Sequence, residues 1–114
     1  MPAVEKFQQK RPAAGLWPQG AAYIDGDFTP IGEARIPITD WGFTRSDVTY
    51  DVVHVWRGRF FRLADHIARF RASMAGLRMT IPQDAAAIAA ILAECVRATG
   101  LKDAYVAMIC SRGN

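Results

Sequence analysis

The sequence predicts an α+β domain with an antiparallel-rich sheet and two helices. Three observations predict it. Residues 48–56 are rich in β-branched and aromatic side chains, with turn signals at Asp25-Gly26 and Arg57-Gly58. Apolar residues recur at three- and four-residue steps along 65–78 and again along 80–100. A last run, 103–111, is almost continuously apolar. With 114 residues, 51% hydrophobic and 22% charged, the chain has enough apolar material for one core.

The opening "MPAVEKFQQKRPAAG" mixes polar residues, Pro and Ala without a period, so residues 1–19 are expected to be a flexible segment ahead of a domain at 20–114. "AAYIDGDFTPI" (21–31) reads as a hairpin around Asp25-Gly26. Residues 32–47 have no period and carry Pro37 and Gly42; they read as a long connection, a place where function often sits. Val48–Trp56 reads as a strand, Arg57-Gly58 as its turn and Arg59–Leu63 as the returning strand. Tyr50, Val52, His54 and Trp56 then share one face, and Thr49, Asp51, Val53 and Val55 the other.

A helix follows, with Asp65 as its expected cap and an end near Arg78. Ile67, Phe70, Met74 and Leu77 form its apolar stripe; His66, Arg69 and Ser73 form the neighbouring one. The second helix is expected over 80–100, with Pro82 in its first turn, Ile88, Ile91, Leu92 and Cys95 buried, and Gly100 at its C-cap. The apolar run 103–111 is expected to be a central strand. A central strand that gives way at once to "RGN" reads as a chain cut short or continued in a second domain.

Net charge is +3, and eleven of the fourteen basic residues are arginine, scattered without a basic stripe. That argues against a nucleic-acid surface and leaves small anions as partners, since the planar guanidinium matches phosphate and carboxylate. Cys95 and Cys110 show neither a C-x-x-C pair nor histidines at metal spacing, which points away from zinc and toward a reduced, cytoplasmic setting. No run is long and apolar enough for a membrane span, and none reads as a signal peptide. Glycine-rich dinucleotide and phosphate loops are absent from the sequence. Of the lysines, Lys6 and Lys10 fall in the loose opening and Lys102 in a loop after Gly100.

Arg69 admits two readings. Its stem can pack on Phe70 while its head meets water, or its fork can hold a phosphate or carboxylate. The positive end of the helix dipole gives a cation no reason of its own to be there. His66 and His54 each read first as hydrogen-bonded structural groups. Asp40, Asp47 and Asp51 fit no metal loop and read as caps and loop hydrogen bonds. No Ser, His and carboxylate can be arranged as a triad.

"IDG", "IPITDWGF", "WRGRFFRL" and "DHIARF", taken together, resemble the fold-type IV pyridoxal-phosphate aminotransferases, and the resemblance runs from about residue 20 to the end. Within that family "RSDVTYDVVHVWRGRFFRL" is most similar to the (R)-selective amine transaminases. The resemblance implies the fold of the small N-terminal domain, like that of D-amino-acid aminotransferase, and pyridoxal 5′-phosphate as cofactor. It implies that Arg69, in the H-x-x-R helix with His66, holds the cofactor phosphate. It implies a substrate pocket lined by Tyr50, Val52 and Tyr105, with Arg45 at its mouth. Where many members carry "GDG-x-FE" this chain has "SDVTYD", and where branched-chain enzymes carry an arginine two residues after the last-strand tyrosine it has Ala107. The family's cofactor-binding lysine and the acid facing the pyridine nitrogen belong to a second domain. This chain alone is therefore expected to be inactive, with no catalytic residue of its own, and to require that domain, in the same chain or another. The complete enzyme would transfer an amino group between an (R)-amine or amino acid and a keto acid such as pyruvate, commonly as a homodimer with its active site near the interface. Branched-chain or D-amino-acid transamination is the alternative inside the family. A non-catalytic remnant binding a phosphorylated small molecule or a partner protein is the alternative outside it.

Overall fold

Both hairpins turn on a pair of left-handed residues. Asp25 and Gly26 have φ of 52° and 82°, and Arg57 and Gly58 have φ of 51° and 78°. Such pairs match the right-handed twist of the strands they join, and glycine takes the second place without a Cβ clash. The computed structural model describes residues 11–114, so Lys6, Lys10 and the first ten residues of the expected flexible segment lie outside it. The described residues form two compact units, one running to Ala34 and including Ala90–Leu101, the other comprising Arg35–Ala89 and Lys102–Asn114.

In the first unit, β1 (Ala21–Ile24) pairs antiparallel with β2 (Asp27–Pro30). Tyr23 and Phe28 face each other across the pair, ring centroids 5.0 Å apart. A 3-10 turn (Ile31–Glu33) follows, tied back by the Ile31 N–H to the Gly20 carbonyl. The later turns of α3 (Ala85–Thr99) bury Leu92, Cys95 and Ala98 on one face. The last carbonyls of a helix lack partners within it. Here the N–H groups of Gly15 and Trp17 donate to the carbonyls of Arg97 and Ala98, at 3.0 and 2.9 Å. Arg11 and Arg97 both pair with Glu94, and Arg97 also donates to the Pro12 carbonyl. Arg11, Pro12, Gly15 and Trp17, which fall in the segment that the sequence reads as flexible, each bond a residue of this helix.

In the second unit, β3 (Val48–Trp56) lies between β4 (Arg59–Phe60) and β5 (Ala104–Ser111), antiparallel to both. Asp51, Val53 and Val55 are buried on one face, while Tyr50, Val52, His54 and Trp56 are exposed on the other. Helix α2 (Leu63–Gly76) packs against β3 and buries Ile67, Phe70 and Met74; Met79, Ile88 and Met108 complete the buried apolar set of this unit. A short helix α1 (Trp41–Thr44) occupies the connection that the sequence left without period. Buried Asp40 builds it: one carboxylate oxygen accepts from the Gly42 N–H at 2.7 Å and the other from the Ser111 hydroxyl at 2.9 Å.

Several expectations are corrected. There are three α-helices among the described residues, because the Asp40 cap nucleates α1 in what reads as a loop. Helix α3 begins at Ala85, not 80: Pro82 precedes it, and Asp84 accepts from the Ala87 N–H at 2.8 Å as its cap. Helix α2 begins at Leu63, so β4 stops at Phe60; Arg62, at φ 55°, makes the turn, and Asp65 lies in the first turn, paired with Arg62. Leu77 sits at the C-cap, 40% exposed, beyond the buried stripe. β5 is an edge strand of the described sheet, with β3 at its centre. The apolar run of β5 reflects an apolar outer face, where Tyr105, Ala107 and Ile109 are exposed, rather than a central position.

Candidate functional site

A carboxylate on the inward face of a strand needs hydrogen-bond partners to meet it. Asp51 has two. Its Oδ2 accepts from Arg69 Nε at 2.6 Å, and its Oδ1 accepts from Arg69 Nη2 at 3.0 Å and faces His66 Nδ1 at 2.7 Å. His66 and Arg69 stand one turn apart on α2, on the stripe beside Ile67 and Phe70. The Asp51 side chain is only 4% exposed while that of Arg69 is 68% exposed. The carboxylate is thus screened from water by the side chains that bond it, rather than by depth in the unit. The hydrogen bond from Arg69 holds Asp51 down to about 2 from the ordinary 3.8; burial opposes this, and the His66 bond assists. The same pairing raises Arg69 above its already high value.

Arg69 has five N–H groups and gives two to Asp51, which leaves three without a partner among the described residues. A fork pinned on one side and open on the other is a donor set for a phosphate or a carboxylate. Of the two readings of Arg69, the packed stem with its head in water gives way to a guanidinium fixed by a buried anion and still exposed.

Tyr50, Val52 and Tyr105 come together on the outer face of the same sheet. The register sets Tyr50 opposite Ile109, Val52 opposite Ala107 and His54 opposite Tyr105. The His54 and Tyr105 rings lie 5.1 Å apart. With Trp56 this makes a mostly apolar wall, on which Tyr50 is 66% and Tyr105 78% exposed. Arg45 stands elsewhere, at the C-cap of α1, its guanidinium 4.3 Å over the Trp41 ring. It makes no hydrogen bond to the wall residues.

Arg69 does not share the wall's face. Asp51 lies between Tyr50 and Val52 in the chain but points to the opposite side of β3, and Arg69 goes with it. One ligand serves both only across the edge of β3; among the described residues β4 and the Phe61 N–H, which donates to the His54 carbonyl at 2.8 Å, cover that edge at 54–56. Asp51 is the residue that the sequence reading missed as part of the site. Its signal was legible: a carboxylate in phase with Val53 and Val55 belongs to the covered face, and His66 and Arg69 of the following helix share the stripe beside its apolar one.

Lys102, the one lysine among the described residues, lies in the loop before β5, where its carbonyl accepts from the Gly58 N–H at 2.8 Å. Among the described residues no group of acidic, His and Cys side chains could hold a metal ion, and no helix is long and apolar enough to cross a membrane.

Residues 49–114, more than half of the chain, match the family described as amino-transferase class IV. A putative branched-chain-amino-acid aminotransferase of Methanocaldococcus jannaschii is 28% identical over 91 residues, covering 80% of this chain and 32% of the relative. A D-alanine aminotransferase of Listeria monocytogenes is 31% identical over 81 residues, covering 71% of this chain and 28% of the relative. Among solved structures, the T.th. branched-chain amino acid aminotransferase with pyridoxamine 5′-phosphate superposes with a TM-score of 0.77 at 24% identity, over 82% of this chain and 32% of that one. The Escherichia coli branched-chain enzyme gives 0.79 at 14% identity, over 83% and 34%. The latter two are likenesses of fold. The chain spans about a third of the length of the relatives it matches.

Proposed function

Because the chain belongs to the class IV aminotransferase family, we propose that it supplies the phosphate grip and the substrate wall of a pyridoxal 5′-phosphate-dependent transaminase. The observation that carries the reading is the exposed Arg69 fork, fixed by buried Asp51 with three donors to spare. That donor set fits the cofactor's phosphate: a planar cation with parallel N–H groups suits two phosphate oxygens at once. Bound there, pyridoxal phosphate supplies the carbonyl that takes an amino group from a donor and returns it to a keto acid.

This chain's own residues bind and orient. Arg69 donates to the phosphate through the N–H groups that Asp51 does not take. Tyr50, Val52 and Tyr105 present a shaped apolar wall that excludes water and selects the donor's substituents. Arg45 offers a cation for a carboxylate at the pocket's mouth. Ala107, opposite Val52, puts no cation on the wall itself. An apolar wall without a carboxylate anchor favours an amine donor, and the likeness of residues 45–63 to the (R)-selective amine transaminases gives its configuration as (R), with a keto acid such as pyruvate as acceptor. We read the complete protein as a cytoplasmic homodimer. The 114 residues alone are read as inactive, since the cofactor's lysine is assigned to a further domain.

The test is amino transfer by the complete, cofactor-loaded protein, with (R)-1-phenylethylamine, D-alanine and leucine compared as donors, each with a keto acid. Conversion of the (R)-amine to its ketone as the best reaction supports the reading. Preference for leucine or D-alanine moves the specificity to the activities named for the relatives. No transfer from any donor, in a protein that still binds pyridoxal phosphate, supports a non-catalytic binding domain instead.

A further inference from the structure

Asp51 brings a negative charge next to the place where a dianion is to bind. Taken by itself it repels that ligand, and neutralising it should strengthen binding. The geometry argues for the opposite outcome. Arg69 is a long, exposed side chain, and its only partner among the described residues is the Asp51 carboxylate. Without that partner the guanidinium samples many rotamers, and holding it for a phosphate costs entropy at every binding event. With it, Nε and one Nη2 hydrogen are fixed at 2.6 and 3.0 Å, and the remaining donors point in a fixed direction. The carboxylate is itself immobile: it stands on the central strand, is buried, and is bonded from a second side by His66 Nδ1 at 2.7 Å. A repulsion near an exposed guanidinium is screened by salt, whereas the fixed direction of a hydrogen-bond donor is not.

We propose that Asp51 is a positioning residue for the phosphate site: it aligns Arg69, and its net effect on the phosphate is favourable only through Arg69. This rests on the reading of Arg69 as the phosphate ligand. His66 acts one step further out, by holding the carboxylate that holds the arginine.

The experiment measures the dissociation constants of pyridoxal 5′-phosphate and of pyridoxal, which lacks the phosphate, at about 0.5 M salt, where exposed charges are screened within a few ångströms. The complete protein is compared as wild type, Asp51→Asn, Arg69→Ala and the double variant. Asp51→Asn is expected to weaken pyridoxal phosphate binding by roughly 5- to 30-fold, the range for losing one charge-assisted contact's alignment, and to leave pyridoxal binding within about twofold. In the Arg69→Ala background the same substitution is expected to leave phosphate-dependent binding unchanged or to tighten it, because a bare carboxylate has been removed. Where Asp51→Asn does not fold, Asp51→Glu replaces it in the cycle; it keeps the charge and shifts the carboxylate by one methylene. A phosphate-specific change that vanishes without Arg69 supports the proposal in either version. Tighter pyridoxal phosphate binding by Asp51→Asn in the wild-type background overturns it, as does an equal loss in both backgrounds. Should Arg69→Ala itself leave the preference for the phosphorylated ligand intact, the phosphate site falls first, and the positioning role falls with it.

Discussion

Asp51 carries its charge where the alternation of β3 calls for an apolar residue, and the fold answers with His66 and Arg69 from one helix turn. Its acidity, lowered in the fold to about 2 from 3.8, makes it a pH-dependent source of stability. As pH falls, the unfolded chain takes up this proton first, so stability is complete above about 3.8 and is lost as pH drops through about 2. Denaturant titrations of wild type and Asp51→Asn should show their largest gap near neutrality and a gap that shrinks from about pH 4 to about pH 2; a constant gap contradicts the pairing. Cys95 behaves differently, since burial and then the nearby Glu94 push its thiol up to about 11. A maleimide reagent near neutral pH should leave Cys95 unmodified in the folded protein and modify it in denaturant, read by peptide mass. At this scale the sequence showed which face each residue of β3 takes. The partner of Asp51 was harder to read, because it lies on another element and only the strand-to-helix packing brings the two together.

Short elements here stand or fall on single polar groups. Helix α1 is four residues long and is held by Asp40 from below and by the Trp41 N–H to the Gly113 carbonyl, 2.8 Å. Gly42 leaves no room in that corner. A Cβ there would stand 2.8 Å from Asp40 Oδ1, 2.8 Å from Ser111 Cβ and 3.2 Å from Val48 Cβ. Gly42→Ala should cost about 1–3 kcal/mol in thermal or urea unfolding, as overpacking does; an unchanged midpoint contradicts the packing. At α3, Asp84→Ala removes the bond to the Ala87 N–H and should cost about 1 kcal/mol in the same assay. The hairpins were legible because Asp-Gly and Arg-Gly mark their turns locally. Helix starts were not, because caps compete: Asp65 and Pro82 have the right chemistry three and two residues from where the chain uses Arg62 and Asp84. The edge position of β5 was not legible either, since an apolar run carries no sign of which neighbours cover it.

Across the molecule, the α+β fold and the family follow from pattern and likeness together, and the proposed site divides between two faces of one strand. The wall of Tyr50, Val52 and Tyr105 and the fork of Arg69 are back to back across β3. Alternation put Tyr50 and Val52 on one face, the family resemblance implied that this face and Tyr105 line a pocket, and helical spacing predicted that His66 and Arg69 share a stripe. Neither pattern says on which side of a sheet a helix packs, so the separation of fork and wall became visible only in three dimensions. The preference of the complete protein for pyridoxal 5′-phosphate over pyridoxal, compared in wild type and Arg69→Ala, decides whether Arg69 holds the phosphate. Loss of a charge-assisted fork worth about 1.5–3 kcal/mol should cut that preference by roughly 10- to 150-fold, at little cost to pyridoxal binding. An Arg69→Ala protein that retains the wild-type preference would contradict the account.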